Sequence, residues 1–441
     1  MAETLAIQGG RPAVSSDPAD QWQRPIDEEK ELILGLIDKG IYAGGKSIVR
    51  DLEDKLREYL NCDFALSTDH GHTSIASAFY AAYLGPGDEF IVPTVGYLGG
   101  YAGGLHMGAR PVFCDIDPKT LLMDPEDAEK KITSRTRLIH PVHMDGNVCD
   151  MDALEDLGRR RGIPIVVDAC HAHACQWDGK KIANVGDISA FSLQGGPNPG
   201  GKPVAGGEGG IVATNNREMW ERAYTYAQLH REPTAQMLER IGSFGPPYRM
   251  LDVELLGWKF RIHPFAAALA TVSLKTLDYR NEKLTENWNK IAQGIEDLPG
   301  LEPQSSYEKA KRGFFGKYQI IYHPEELGGL PAKKFVKAMQ AEGTPLKGPE
   351  IRPTRLPQQL EHLRSIYTQG YDLWGHGRGP LSGEWMGLPP FQGYREGDLP
   401  VAENLKDKVL FTKIIVEPER GFLDQFIAAF RKVTSNYEAL L

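Results

Sequence analysis

The chain has 441 residues, of which 41 % are hydrophobic and 25 % are charged, values typical of a globular protein of about two or three domains. Its formal net charge of −9 leaves no basic surplus for binding phosphates, which argues against a nucleic-acid partner. The sequence has no apolar run near the roughly 20 residues of a membrane helix and no recognisable export signal. Its five cysteines lack metal-ligand spacing. We therefore expect a cytoplasmic protein with reduced thiols and no membrane segment.

From residue 45 to about residue 215, helical segments alternate with short apolar strands. Val49, Leu52, Leu56 and Leu60 recur at helical spacing, and a second helix follows Gly71 and should end at Gly85. The predicted strands are 64–66, 90–92, 111–113, 138–139, 163–167, 188–191 and 211–213. Strands that are apolar on both faces and separated by helices predict an α/β fold with a mostly parallel sheet covered by helices.

The C-terminal part of the sequence is less regular. An amphipathic segment over residues 265–298 should connect a large domain, residues 1–275, to a smaller C-terminal α+β domain, residues 276–441. The chain should end in a helix that carries Phe422, Phe426, Phe430 and Val433.

Four polar or flexible residues follow directly after predicted strands: Gly71, Tyr97, Asp168 and Ser192. In an open α/β sheet, ligands bind outside the carboxyl ends of the strands. The sequence therefore predicts that these residues lie around one ligand site.

Asp168 and Lys202 form the pair with the clearest chemistry. Asp168 ends an apolar strand, and Lys202 lies 34 residues later in a glycine-rich segment. Pyridoxal-phosphate chemistry needs a carboxylate at the pyridine nitrogen and a lysine at the aldehyde, so the pair indicates that cofactor. The alternatives are an aspartate that caps the next helix and a lysine that is only a solvated charge.

The stretch Gly71-His72-Thr73-Ser74 opens a helix directly after a strand, where free amides and the helix dipole favour a phosphate group. Ser192 could add a hydroxyl, and Tyr97 could stack on a pyridine ring. A tight turn without a ligand, a serine bound to the backbone and a tyrosine in the core are the structural alternatives.

The sequence also contains partial patterns of a nucleotide-binding loop and of a metal site. Residues 196–202 have the spacing of a nucleotide-binding P-loop, but Pro203 replaces the Ser or Thr that holds magnesium, and three prolines remove amides. The histidines His140, His143, His171 and His173 lie near Asp168, yet no Cys or Glu spacing completes a metal shell. We therefore expect no metal.

Several segments taken in order carry a resemblance to a known family. They are residues 85–93, 115–117, 141–143, 168–173, 192–210, 257–261 and 400–405. The succession resembles the DegT/DnrJ/EryC1/StrS family of pyridoxal-phosphate sugar aminotransferases, of fold type I. The last segment is similar to the branch that aminates keto-cyclitols such as scyllo-inosose.

The resemblance implies a role for each matching residue. Lys202 would form the Schiff base and Asp168 would bind the ring nitrogen. Tyr97 would stack on the cofactor, while Gly71, His72 and Ser192 would bind its phosphate. The second subunit of a homodimer would supply Lys259 and Arg261. The sequence departs from the family at several positions. His171 replaces the glutamine that the family has beside the phenolic oxygen of the cofactor, His72 replaces a threonine, and Lys259 replaces an asparagine. The loop before Lys202 is also longer than usual.

These observations predict a pyridoxal-phosphate-dependent aminotransferase that moves an amino group from glutamate or glutamine to a keto sugar or keto-cyclitol. One alternative is a dehydratase or other eliminase acting on a deoxysugar, against which Lys202 counts, because branches that dehydrate have histidine there. The other alternative is a non-catalytic regulator or scaffold.

Overall fold

The computed structural model of the protein describes residues 3–44, 47–196, 201–229, 231, 235–245, 257–349 and 360–441. Most of the proline-rich part of the P-loop-like stretch, residues 197–200, lies outside these ranges.

A central sheet organises the N-terminal part of the chain. Its seven described strands are β1 (Phe64–Thr68), β2 (Glu89–Pro93), β3 (Arg110–Cys114), β4 (Thr136–Ile139), β5 (Val166–Asp168), β6 (Ile188–Ser192) and β7 (Gly210–Thr214). They pair in the order β3-β2-β4-β5-β6-β7-β1, with β4 and β5 joined by the parallel bridges Ile139–Ile165 and Val142–Asp168. Only β7 runs antiparallel to its neighbours. The predicted α/β fold with a mostly parallel sheet is confirmed.

The described α-helices follow in chain order. They are α1 (Ile26–Asp38), α2 (Ser47–Leu60), α3 (Gly71–Ala81), α4 (Leu98–His106), α5 (Pro125–Lys130), α6 (Met151–Arg161), α7 (Arg217–Ala227), α8 (Ala235–Ile241), α9 (Pro264–Lys275), α10 (Leu277–Ile295), α11 (Ala332–Ala341), α12 (Ser365–Thr368), α13 (Pro400–Leu405) and α14 (Phe422–Ser435). Short 3₁₀ turns occupy Ala6–Gln8, Met144–Gly146, Ile182–Asn184, Pro324–Leu327, Glu361–Leu363 and Tyr437–Leu440.

Helices cover both faces of the central sheet because its strands are apolar on both sides. Ile91 packs in one core with α2, α6 and α9, whereas its neighbours Phe90 and Val92 pack in a second core with α3 and α7. This alternation is the two-residue period of a strand buried between two helical layers.

Two predicted helix boundaries were wrong in detail. Helix α3 ends at Ala81 rather than at Gly85, because Tyr83 takes a left-handed conformation with φ of 63°. The amphipathic segment over residues 265–298 is two helices, α9 and α10, which meet at Thr276.

A second sheet forms the C-terminal part. Its strands are β8 (Leu301–Pro303), β9 (Lys317–Tyr322) and β10 (Val409–Lys413), which pair antiparallel in the order β8-β9-β10. A further small ladder joins the two-residue strands Gln176–Trp177, Lys180–Lys181 and Ala310–Lys311. The predicted final helix is confirmed as α14, which buries Phe422, Phe426, Phe430 and Val433.

Packing crosses between the two parts in both directions. Leu5 and Val14 belong to the core beside the C-terminal sheet, while Tyr367 and Leu399 pack against the central sheet. The domain division 1–275 and 276–441 therefore stays a prediction.

Two features bear on the expected environment. No helix in the described ranges is both long and apolar enough to span a membrane. All five cysteines are buried, and none forms a disulfide.

Candidate active site

A cavity of about 670 Å³ opens at the carboxyl edge of the central sheet. Seven of the residues that the sequence singled out line it: Gly71, His72, Tyr97, Asp168, His171, Ser192 and Lys202. The shared position follows from topology, because parallel strands end at one edge and the loops that follow them meet there.

A closed hairpin brings Lys202 back to the sheet edge. The backbone amides of Gly195 and Gly207 each donate to the other residue's carbonyl, at 2.7 and 2.9 Å, and the Lys202 amide donates to the carbonyl of Gln194 at 2.9 Å. These bonds tie the base of the long glycine-proline loop, so its extra residues do not displace Lys202. The Lys202 Nζ lies 4.4 Å from the centroid of the Phe315 ring.

The cavity increases the neutral fraction of Lys202 relative to a solvated lysine. Burial lowers the pKa of its ammonium below the ordinary lysine value, although Asp168 and Asp145 act in the opposite direction. No carboxylate of the described residues forms an ion pair with this ammonium. Lys202 therefore offers a larger fraction of nucleophilic amine near neutral pH than a solvated lysine does.

Asp168 is held at the end of β5 with its carboxylate towards the cavity. The side chain is only 7 % exposed, and Oδ1 accepts a hydrogen bond from the Cys170 amide at 2.9 Å. Oδ2 faces helix α4, where a Cβ on Gly100 would lie 3.2 Å from it. The carboxylate is thus fixed from one side and available to a ligand from the other.

The start of α3 and Ser192 form a narrow cradle. A Cβ on Gly71 would lie 2.4 Å from Ser192 Cβ, so only glycine allows this approach. The His72 Nδ1–H donates to the Gly99 carbonyl at 2.6 Å, which ties α3 to α4. Thr73 does not line the cavity, because its hydroxyl donates to Asp69 Oδ1 at 2.7 Å.

His171 and Tyr97 face the cavity from opposite elements. His171 Nδ1 accepts the Asp145 amide at 3.1 Å, which leaves the proton of the neutral ring on Nε2. Burial, followed by the charges of Lys202 and Lys317, lowers the pKa of His171 well below its ordinary value. Tyr97 precedes α4 and is 71 % exposed at the mouth, with its ring against Gly99.

The four histidines near Asp168 do not converge on one point. His140 Nδ1 donates to the Val166 carbonyl at 2.7 Å, and His143 Nδ1 accepts the Cys149 amide at 3.3 Å. His173 packs on Phe191, with 5.2 Å between the ring centroids. Among the described residues, no group of three or more His, Cys, Asp or Glu side chains has an arrangement that could hold a metal ion.

Lys259 and Arg261 lie apart from the cavity of their own chain. Lys259 is exposed, and the Arg261 guanidinium donates to the Leu229 carbonyl. Their assignment to a partner subunit's site stays a prediction.

One wall of the cavity comes from the C-terminal part and was not predicted from the sequence. It is formed by Gln304, Phe315, Lys317, Gln319 and Lys406, and Asp145 contacts two of these residues, Lys317 and Gln319. Asp145 follows the extension of β4, so it could have been predicted from the rule that ligands bind outside the carboxyl ends of strands (the strand-end rule). The others carry no local signal, because they reach the cavity only when the two sheets pack together.

Comparison with known proteins identifies the family of the chain. The family model described as the DegT/DnrJ/EryC1/StrS aminotransferase family matches residues 24–360. The chain belongs to this family. The enzyme is 30 % identical over 348 residues to the L-glutamine:2-deoxy-scyllo-inosose aminotransferase of Streptomyces paromomycinus, covering 78 % of this chain and 80 % of the relative. It is 29 % identical over 399 residues to the L-glutamine:scyllo-inosose aminotransferase of Streptomyces griseus, covering 85 % and 90 %.

Solved structures share the fold. GDP-4-keto-6-deoxymannose-3-dehydratase, determined with a trapped PLP-glutamate geminal diamine, has a TM-score of 0.72 at 19 % identity, covering 94 % of this chain and 98 % of that one. At that identity the likeness shows the fold alone.

The cavity residues of the enzyme fit pyridoxal phosphate. The Gly71–Ser192 cradle, which a Cβ would fill, has the amides and hydroxyl that suit a phosphate. Asp168 presents a carboxylate of the kind that keeps a pyridine nitrogen protonated, and Lys202 supplies a partly desolvated amine. All three features face one cavity.

We expect Gly71→Ala to weaken pyridoxal-phosphate binding about tenfold to a hundredfold, because the new methyl group overlaps Ser192 and widens the cradle. An absorbance titration of cofactor-free protein measures the dissociation constant. Gly35→Ala is the matched control, since a Cβ there meets nothing within 4 Å. Equal affinity in the Gly71 variant and the control would place the phosphate elsewhere.

We also expect acid sensitivity from His143 and His173. Burial lowers the pKa of each to about 3, so below about pH 6.5 the unfolded chain binds protons that the folded chain does not. As the pH falls from about 6 to about 4, each histidine should therefore lower the free energy of unfolding by about 1.4 kcal/mol per pH unit. Urea unfolding across this range should show a shallower pH slope for His143→Asn/His173→Asn than for the wild type. Parallel slopes would contradict the assignment.

Proposed function

We propose that this protein is a pyridoxal-phosphate-dependent aminotransferase that moves an amino group from glutamine or glutamate to a keto-cyclitol of the scyllo-inosose class or to a related keto sugar. The two relatives compared above, named as L-glutamine:keto-cyclitol aminotransferases, support this acceptor class. Such a reaction belongs to secondary-metabolite or amino-sugar biosynthesis.

The observation that carries the proposal is the placement of Asp168 and Lys202. A buried carboxylate and a partly desolvated amine face the same cavity from different loops, beside a cradle for a phosphate. A carboxylate alone could cap a helix and a lysine alone could be solvated, but their convergence suits one cofactor.

When bound, pyridoxal phosphate supplies an electron sink for the negative charge that develops at the substrate carbon. Asp168 would hold the proton on the ring nitrogen, since its carboxylate lines the cavity. Lys202 Nζ would hold the cofactor covalently, and its free amine would move the proton to and from the substrate. Burial lowers the pKa of Lys202, which raises the fraction of neutral amine that could act as a base near neutral pH.

Other residues orient the ligand and exclude water. The Nε2–H of His171 is a fixed donor, since Nδ1 is occupied by the Asp145 amide. The ring of Phe315 lies 4.2 Å from that of His171 and also covers Lys202. This apolar cover reduces the local dielectric, which strengthens the electrostatic effect of Asp168.

We further propose a cytoplasmic homodimer with shared active sites. Lys259 lies outside its own cavity and follows Trp258, which is 61 % exposed and stacks on Phe260. An exposed aromatic beside a polar residue is typical of an interface. The five buried cysteines form no disulfide, which supports a cytoplasmic location. Sedimentation analysis tests the dimer.

Mixing the cofactor-loaded protein with glutamine or glutamate and then with a keto-cyclitol tests the function. The donor should convert the bound cofactor in the absence of acceptor, and the acceptor should restore it and gain an amine. Elimination of water from a deoxysugar without an amino donor would favour a dehydratase. A protein that binds the cofactor yet performs neither half-reaction would be a scaffold.

A further inference from the structure

Besides Asp168, the cavity is lined by a second buried carboxylate, that of Asp145. The side chain lies in the turn Met144–Gly146 and lines the same cavity, and the residue is only 5 % exposed. Lys202 lines the same cavity, and the charge of Asp145 raises the pKa of its ammonium. None of the cofactor functions assigned above uses this carboxylate.

The two oxygens of Asp145 have different surroundings. Oδ2 accepts a hydrogen bond from Gln319 Nε2 at 2.8 Å and forms an ion pair with Lys317 Nζ at 3.3 Å. Oδ1 lies 3.9 Å from His171 Nδ1, which is itself an acceptor of the Asp145 amide, so no hydrogen bond joins them. Within the described residues, Oδ1 has no donor.

Main-chain bonds already dock this turn on the C-terminal part. The Gly313 amide donates to the Gly146 carbonyl at 3.0 Å, and the Phe315 amide donates to the Asp145 carbonyl at 3.3 Å. The contact is tight, because a Cβ on Gly146 would lie 2.4 Å from the Gly313 carbonyl oxygen. The carboxylate is therefore not needed to join the two parts, which leaves its free oxygen without a structural task.

The backbone of Asp145 aims the side chain. Its φ and ψ are 52° and 25°, a left-handed conformation that aspartate and asparagine tolerate better than most residues. The same conformation directs the amide to His171. One residue thus sets the tautomer of His171 and presents an oxygen to the cavity.

We propose that Asp145 is a specificity-determining residue whose Oδ1 accepts a hydrogen bond from a hydroxyl group of the amino acceptor. The inference rests on the proposed function and names the chemistry of its acceptor side: a polyol ketone. A carboxylate oxygen in a partly desolvated cavity gains a charge-assisted hydrogen bond from a hydroxyl. An acceptor without that hydroxyl leaves the oxygen buried and unpaired, so the site rejects it.

Asp145→Asn is the test, because asparagine tolerates the left-handed backbone and its oxygen can still accept from Gln319. We expect KM for scyllo-inosose to rise about tenfold or more, while the rate of the donor half-reaction changes much less. In a series of acceptors that each lack one hydroxyl, the member that lacks the hydroxyl bound by Asp145 should react equally with wild type and variant. Asp424→Asn is the control, since that carboxylate also pairs with a lysine but is exposed.

A binding experiment separates this inference from the proposed function. Titration calorimetry with scyllo-inositol, a cyclitol that cannot accept an amino group, should show binding to wild type and at least about tenfold weaker binding to Asp145→Asn. This result supports the inference even if no keto-cyclitol is aminated. Equal affinity of the two proteins, no binding to wild type, or a loss confined to the donor half-reaction would each overturn it.

Discussion

Lys202→Ala is expected to reduce amino transfer by about four orders of magnitude or more, to the background rate. In the proposed function this substitution removes both the covalent attachment point of the cofactor and the base that moves the proton, and proton transfer alone contributes about 10²–10⁴-fold. The visible absorption of protein-bound pyridoxal phosphate should change at the same time. Steady-state formation of the aminated acceptor measures the first effect and an absorbance spectrum the second.

Lys181→Ala is the matched control. Lys181 is half-buried, its Nζ lies 3.9 Å from the centroid of the Tyr59 ring, and burial lowers its pKa as it does for Lys202. It does not line the cavity, so the control should keep full activity. The cofactor-free Lys202 variant should unfold no more easily than wild type, because the cavity disfavours the charged lysine. Substantial turnover by this variant would refute the catalytic assignment.

Asp168→Asn should reduce the turnover number by about 10²–10⁴-fold while the cofactor remains bound. Asparagine has the shape of aspartate and can still accept from the Cys170 amide, but it cannot hold a proton on a pyridine nitrogen. The loss should fall on the rate of each half-reaction rather than on KM. Single-turnover absorbance with glutamine measures it.

Asp187→Asn provides the comparison at the opposite end of the same strand pair. Asp187 Oδ2 accepts the Ile165 amide at 2.7 Å, a bond that asparagine can also make. This variant should retain wild-type rates. If Asp168→Asn and Asp187→Asn behave alike, Asp168 is a structural cap and not the partner of the ring nitrogen.

Much of the architecture could be predicted because it is a local property. Val49, Leu52 and Leu56 carry the helical period, and Ile188 to Phe191 carry the pattern of a strand buried on both faces. The strand-end rule then placed Gly71, Asp168 and Ser192 at one edge. Boundaries were less certain: the early end of α3 depends on the left-handed conformation of Tyr83, which no simple pattern requires.

The C-terminal wall illustrates what local patterns do not contain. Phe315 lies over both His171 and Lys202, and Lys317 pairs with Asp145, although more than 100 residues separate these partners in sequence. Such contacts depend on how the second sheet docks, not on the neighbours of each residue along the chain.

The amino-acid sequence by itself determined the alternation of helices and strands, the class of fold and the pair of reactive groups, since each is written in residues a few positions apart. The tertiary structure decided whether the lysine reaches the cavity, which nitrogen of His171 carries the proton, and which carboxylates line the cavity. These depend on hairpin closure and on packing between distant segments, where a shift of a few ångströms separates a reactive group from a solvated one.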